Sequence, residues 1–552
     1  MKKALSRRDF VKTAATSIGI SAIGGIGAQE VKAEAVPKHW DKVADVVVIG
    51  AGATGMPASI EAAENGASVI LIEQNYDIGG HAIQSGAAMP LGGGTTLQKR
   101  FGIEDSPDQY FADLVANPDF RYNDRELIRT FVDWSAPTFE WLVAHGVVFP
   151  DKAPVVATQT AGGISRSQNP VWTGGVSTIS PTGANGTALM RPLEASARKL
   201  GVQILLEHSL TSIIRDGNSG RVLGITAVNK GTTATIQARK GVIIGTGGHS
   251  SNLNFRRMFD PRLTEEYQVV GEPYSRQSGD GELAALHVGA ALWGAANQTL
   301  ERGATMEKPG VIGTRYGYPS PDGGHGNPDL VKSTLFPRMR GLGLNVKDFQ
   351  NVIHVNQVGL RCVNEAASGF AWFNPCLGLN GGTGNGGGPI WAVFDADAAK
   401  REDWICAPPH VDHDGWFFSA QSIAELAGKI ANMYQKKPMP TEALQATVAR
   451  YNSFVDSGKD ADFGKPGPRY KIQTPPFYAG WSTPCLHDCL SGLRINTKSQ
   501  VIDLYGQVIP GLYCGGESSG GFSQHGLAKC IIQGRIAGRE AARLKPGLAA
   551  KA

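Results

Sequence analysis

Between Ala44 and Glu73 the chain reads as strand, glycine turn, helix and strand, and this stretch constrains the fold more than any other. Val46 to Ile49 is a continuous apolar run, as expected of a parallel strand buried on both faces. Gly50, Gly52 and Gly55 then follow at the spacing of a dinucleotide-binding turn. Gly50 permits the tight turn, Gly52 with Ala53 beside it lets a pyrophosphate lie against the backbone, and Gly55 lets the next helix pack close to the strand. The N-terminus of that helix offers N–H groups and the positive end of its dipole to the phosphates. A second strand, Ser68 to Ile72, ends on Glu73, which is placed for the ribose hydroxyls of an adenosine. The expected fold class is α/β, built on a Rossmann-like domain.

A chain of 552 residues is long enough for two or three domains, and its cores need neither disulfides nor metals. Glycine is in excess, 71 of the 552, in runs such as Gly92–Gly94 and Gly386–Gly388. That pattern suits tight turns and close backbone approach to a large ligand. A net charge of +4 provides no basic stripe, so nucleic acid is not an expected partner. Seven cysteines, few and odd in number, exclude a disulfide framework. Cys485, His487 and Cys489 have neither zinc-knuckle nor haem-attachment spacing; the segment is expected to be a turn carrying buried thiols, with no metal.

The first 35 residues read as a twin-arginine signal, with Arg7-Arg8 before a Gly/Ala-rich apolar stretch and a small-residue cleavage site at Ala33-Glu34-Ala35. The expectation is a periplasmic or other extracytoplasmic protein, exported folded by the twin-arginine machinery after loading its cofactor. No later stretch reaches the roughly 18 apolar residues of a span, so stable membrane insertion is not expected.

Five ordered motifs between Ala44 and Ala542 resemble a family of flavoproteins that includes the fumarate reductases and 3-ketosteroid dehydrogenases, which implies FAD as cofactor. After the first turn, Gly79-Gly80-His81 through Ser85-Gly86 resembles the family's flavin-contacting turn, and Gly245-Thr246-Gly247-Gly248 its second FAD loop. Gly279-Asp280-Gly281 resembles the third, and Val508 to Gly516-Glu517 the loop reaching the ribityl chain. The helix opening at Gly526-Leu527 would aim its dipole at the flavin O2. The resemblance implies a discontinuous FAD-binding domain, residues 36–327 and 488–545, with an inserted α+β capping domain, 328–487, and a short tail, 546–552. Within the cap, Val352 to Glu365 is expected as strand–turn–strand, and Ile423 to Val455 as helix broken at Pro438 and Pro440. His81 also stands within a residue of the histidine through which succinate dehydrogenases attach FAD, in a turn one residue shorter.

The departures from the family are as informative as the matches. Gly369 stands where the fumarate reductases' proton-donating arginine would fall, and the loop Gly520–Gly526 has no arginine. A cap histidine of those enzymes would fall at Asp488, beside His487, and the steroid enzymes' loop tyrosine near Phe522. The dicarboxylate clamp is therefore absent, and the expected substrate is a small molecule with a C=C or CH–CH bond conjugated to an electron-withdrawing group, an enoate or enone other than fumarate. Candidate acid–base residues are His525, in the loop that approaches the flavin, then Tyr316, Tyr318, His325, Arg340 and His487. The other class left open is a flavin-binding electron-transfer or assembly subunit; a long inserted cap favours an enzyme. With no haem motif, and with nicotinamides scarce outside the cytoplasm, a separate cytochrome or quinone-linked redox partner is expected.

Overall fold

Apolar strands buried on both faces must sit in the middle of a layered sheet, and β1 (Lys42–Ile49) does. The computed structural model describes residues 36–117, 120, 122–156, 163–174, 185–269, 275–301, 346–367, 375–378, 387–407, 411 and 413–546. The twin-arginine segment and residues 302–345, with Tyr316, Tyr318, His325 and Arg340, lie outside them, as does Gly369. β1 pairs in parallel with β2 (Val69–Ile72), reached through α1 (Gly55–Glu64), and with Ile236 to Ile244 of β6 (Thr232–Ile244). β2 pairs with β3 (Gln203–Leu205). The first half of β6 forms an antiparallel meander with β4 (Ser209–Arg215) and β5 (Val222–Asn229).

The turn after β1 is shaped as the glycines require. Gly50 has φ +92°, and a Cβ there would stand 2.5 Å from the Gly245 carbonyl oxygen. A Cβ on Gly55 would stand 1.8 Å from the Gly50 oxygen.

The C-terminus returns to this sheet, which makes the FAD-binding domain discontinuous. β13 (Gln500–Ile502) and β14 (Val508–Cys514) add to the edge of β6, and α8 (Leu527–Arg543) crosses α1. The crossing is tight because Gly534 and Gly538 carry no side chain: a Cβ on either would stand 2.2 Å from the Thr54 or Ala58 oxygen. Arg535 beside them pairs with the buried Glu61 at 2.9 Å.

The inserted layer is a four-stranded antiparallel sheet in the order β8 (Ile353–Asn356), β9 (Ile390–Asp395), β11 (Phe477–Trp481), β10 (Phe417–Ala420). Helices α6 (Ile423–Lys429) and α7 (Thr441–Ser457) cover it over Trp391, Trp416 and Trp481. The helical stretch stops at Lys429, well before the prolines, because the Asn432 side chain accepts the N–H groups of Tyr434 and Gln435 and closes a turn. Of the expected strand–turn–strand, the second strand is a single bridge from Val355 to Arg361. Arg361 is held instead by Glu365 and Asp460 in a buried ion cluster.

Two strands link the layers: β7 (Leu292–Glu301) pairs antiparallel with β12 (Cys485–Leu493). The segment Cys485–Cys489, expected as a turn, is thus strand; its partner lies nearly two hundred residues away, and no local pattern announces it. The boundary expected between 487 and 488 falls inside this strand. The seven cysteines form no disulfide with one another among the described residues. Among the described residues no helix is long and apolar enough to cross a membrane.

The methyl group of Gly55→Ala must push α1 away from its turn, at an expected cost of about 2 kcal/mol. Calorimetry should show a lower unfolding midpoint together with reduced flavin content; an unchanged midpoint would contradict the packing described.

Candidate active site

A cavity opens at the ends of β1, β2 and β6. The first turn supplies Gly50, Gly52 and Ala53 to its wall. A Cβ on Gly52 would meet no protein atom closer than 3.8 Å, so the protein itself does not demand glycine there; a ligand lying on the backbone does. Thr54, which caps α1, makes no side-chain bond to the helix N-terminus. Glu73 lines the cavity with both carboxylate oxygens anchored, by the N–H groups of Ala51 at 2.7 Å and Asn75 at 2.9 Å. Burial raises its pKa against those two donors.

Gly80 and His81 of α2 (Gly80–Gln84), Gly247, Asp280, Glu517 and Leu527 also belong to its wall. Gln277 also lines it, donating to Glu517, while its own buried Oε1 has no hydrogen-bond partner. An orphaned acceptor, an uncapped helix and a glycine with open space before it are features that a bound dinucleotide would complete. These residues fit FAD.

The other residues expected at the cofactor shape the turns around the cavity. Gly55 and Gly79 set the approach of α1 and α2, and Ser85 spends its hydroxyl on Ala82 and Ala87 beside Gly86. Gly248 is required by the protein interior, since a Cβ would stand 2.6 Å from that of Cys489. Gly516 packs against Thr54, and Gly526, at φ +89°, passes within 2.8 Å of the Ala88 oxygen measured from an added Cβ.

Next to His81 stand the two described acid–base candidates, joined by a residue the sequence did not single out. His487 Nδ1 lies 2.8 Å from Asp488 Oδ1, and His525 Nδ1 makes a very short contact to Asp488 Oδ2. The rings of His487 and His525 are 5.0 Å apart, and that of His81 is 5.7 Å from His487. Neighbours in a regular strand point to opposite faces. Here the register slips: Asp488 faces Thr299 and Leu486 faces Leu300, so His487 has no opposite residue and can turn toward its neighbour. These three side chains form the one group among the described residues with metal-ligand proximity, but a nitrogen–oxygen distance of 2.8 Å is that of a hydrogen bond.

The charges of the site follow from this contact. Burial would raise the Asp488 carboxyl, but His525 and His487 outweigh it and hold the group well below the usual range. Burial, then the nearby His487, lowers His81 to about 4, so that ring is neutral at ordinary pH. Glu517 is pushed well up by burial and then by Asp488 and Cys489.

The loop carrying His525 is fixed from behind. Asn123 donates to Ser523 Oγ at 2.9 Å, and the buried Lys529 ammonium donates to the Phe522 oxygen at 3.0 Å. Phe522 is buried against Phe131 and Phe120, away from the cavity. Asp488, Gln277, Asn123 and Lys529 were missed from sequence, and only Asp488 had a signal, its place beside His487.

The layered α/β fold and the cavity at its strand ends define an FAD-dependent oxidoreductase. A family model for the FAD binding domain matches residues 45–528, and the chain belongs to that family. It is an oxidoreductase of the fumarate reductase-like class that acts on CH–CH groups. It is 28% identical over 513 residues to urocanate reductase of Eggerthella lenta, covering 91% of this chain and 75% of that one. It is 28% identical over 506 residues to fumarate reductase (cytochrome) of Shewanella frigidimarina, covering 90% and 77%. The solved structure of 3-ketosteroid-Δ4-(5α)-dehydrogenase from Rhodococcus jostii RHA1, with 4-androstene-3,17-dione, matches with a TM-score of 0.63 at 25% identity, over 93% of this chain and 99% of that one.

Glu73→Ala removes the acceptor that organises the first turn at the cavity. The variant should purify largely without flavin, read as the ratio of flavin to protein absorbance; full occupancy would refute the role of Glu73.

Proposed function

We propose that the protein reduces, or in reverse forms, a C=C bond conjugated to a carbonyl or similar electron-withdrawing group, with His525 as the acid–base residue. FAD, when bound, supplies hydride transfer to or from the β carbon. The observation that carries the reading is the Asp488-bound His525 in the histidine cluster that adjoins the cavity at His81. In the reducing direction the His525 imidazolium gives its proton to the α carbon, the product leaves saturated, and the neutral ring is reprotonated from solvent. The His525 side chain is 27% exposed, which gives it that access. The names of the relatives support the reading, since urocanate, fumarate and 3-ketosteroids all present an unsaturated or saturable bond conjugated to a carbonyl.

The substrate is not a dicarboxylate, because Gly369 and the arginine-free loop 520–526 leave no clamp for two carboxylates. The chain contacts FAD through the motif residues placed around the cavity. It acts outside the cytoplasm after twin-arginine export, and it exchanges electrons with a separate cytochrome or quinone-linked partner. The cytochrome in the name of one relative supports that last point.

The test is reduction of the purified flavoprotein by a reduced viologen and reoxidation by a panel of enones, enoates and phenylacrylates, with fumarate as control. At least one monofunctional acceptor should reoxidise the enzyme. Fumarate turnover near about 10 s⁻¹, an ordinary rate for an enzyme on its own substrate, would overturn the assignment. His525→Ala should retain FAD and lose roughly 10²–10⁴ in kcat, with KM changing far less. Loss of flavin with unchanged turnover per bound FAD would make His525 a structural residue.

A further inference from the structure

Asp488 is 6% exposed and sits at the centre of the histidine cluster. A carboxylate has two oxygens and accepts at both. Here Oδ1 meets Nδ1 of His487 and Oδ2 meets Nδ1 of His525. Both rings therefore direct the same nitrogen, δ1, at one anion. For each contact to be a hydrogen bond, the proton must sit on Nδ1, and proton exchange is then assigned to Nε2 on both rings.

We propose that Asp488 is a positioning residue that fixes the tautomer and orientation of both His487 and His525, so that the proton moved in the reaction is carried on Nε2 of His525. This inference rests on the acid–base role of His525 stated above, but its central claim, the tautomers, does not depend on turnover. The anion also attracts a positive charge on either ring, by the same contacts that hold its own carboxyl ionised. No hydroxyl or amide at position 488 could replace it, since asparagine offers one acceptor and one donor where two acceptors are needed.

The groups facing Asp488 come from each surrounding element. His487 lies on its own strand, with Cys489 next to it. His525 lies in the loop before α8, His81 on α2, and Glu517 in the turn 516–518, where Lys529 of α8 adds a positive charge. His81 is neutral and Glu517 is pushed toward its protonated form, so neither supplies a competing permanent charge. Asp488 is the anion of the cluster.

The experiment uses the FAD-loaded protein labelled with ¹⁵N in its histidines, with His487→Gln and His525→Gln assigning the two signals. The nitrogen shifts of the wild type should show Nδ1–H on both rings. Nε2–H with a bare Nδ1 on either ring would overturn the proposal, and that measurement needs no variant of Asp488. In Asp488→Asn only one ring should keep Nδ1–H.

Activity gives a second readout, taken with reduced viologen and whichever acceptor of the panel reacts. The alkaline limb of the kcat profile of Asp488→Asn should move to lower pH by about one unit or more, because a lost anion makes the imidazolium a stronger acid. An unmoved limb, with flavin content retained, would reduce Asp488 to a strand residue. If no acceptor reacts, the functional reading fails while the tautomers still decide this one.

Discussion

The structure depends on how closely the backbone of α1 can approach the turn that precedes it. The 1.8 Å distance from an added Gly55 Cβ to the Gly50 oxygen means the approach exists only without a side chain. The same close packing repeats where α8 crosses α1 at Gly534 and Gly538, and where Gly50 passes Gly245. Two chain segments remote in sequence thus converge on the first turn and its helix, beside the cavity. Each glycine gives the unfolded chain more conformational freedom, which is lost on folding. The excess of glycine is the compositional trace of that convergence.

Placing β14 and α8 on this turn also places the loop 519–526, since it has only a few residues in which to join them. Lys529, one turn into α8, holds the Phe522 carbonyl, and Asn123 holds Ser523, so the loop is anchored at both sides before His525. Phe522 shows what the anchoring achieves. Its ring is locked among Phe120 and Phe131, and three residues later the chain faces the cavity side, where His525 meets Asp488. Fold and chemistry are here one constraint.

Much of this was legible in the sequence, and the part that was not has a common cause. Gly50, Gly52, Gly55 and Glu73 could be read because their roles are local: a strand, a turn and a helix within thirty residues fix what each must do. Gly248 was read as part of a cofactor loop, yet the atom that demands a glycine there belongs to Cys489, two hundred and more residues away. The strand at Cys485–Cys489 was hidden for the same reason, because its hydrogen bonds go to β7. The end of α6 at Lys429 was missed because Asn432 closes a turn through its side chain, which competes with the prolines as a helix stop. His487 and His525 were each singled out by sequence neighbourhood, but their relation through Asp488 required a register slip and a tertiary contact together.

That slip is what brings His487 onto the carboxylate that His525 also meets. An aspartate buried to 6% exposure carries a large desolvation cost unless cations or donors meet it. Two imidazoles do so, one from the next residue and one from the loop before α8, and each lies within hydrogen-bond reach of its own oxygen. Had β12 kept regular alternation, His487 would face away from Asp488, and the carboxylate would retain only His525. One imidazolium against one carboxylate makes a neutral pair; the second ring adds a group that can take up a proton without leaving an unbalanced anion. Where an arginine clamp fixes two positive charges permanently, this arrangement carries a charge that a single proton can change. Under the proposed function, such a site suits a substrate that takes up one proton beside a polarised carbonyl.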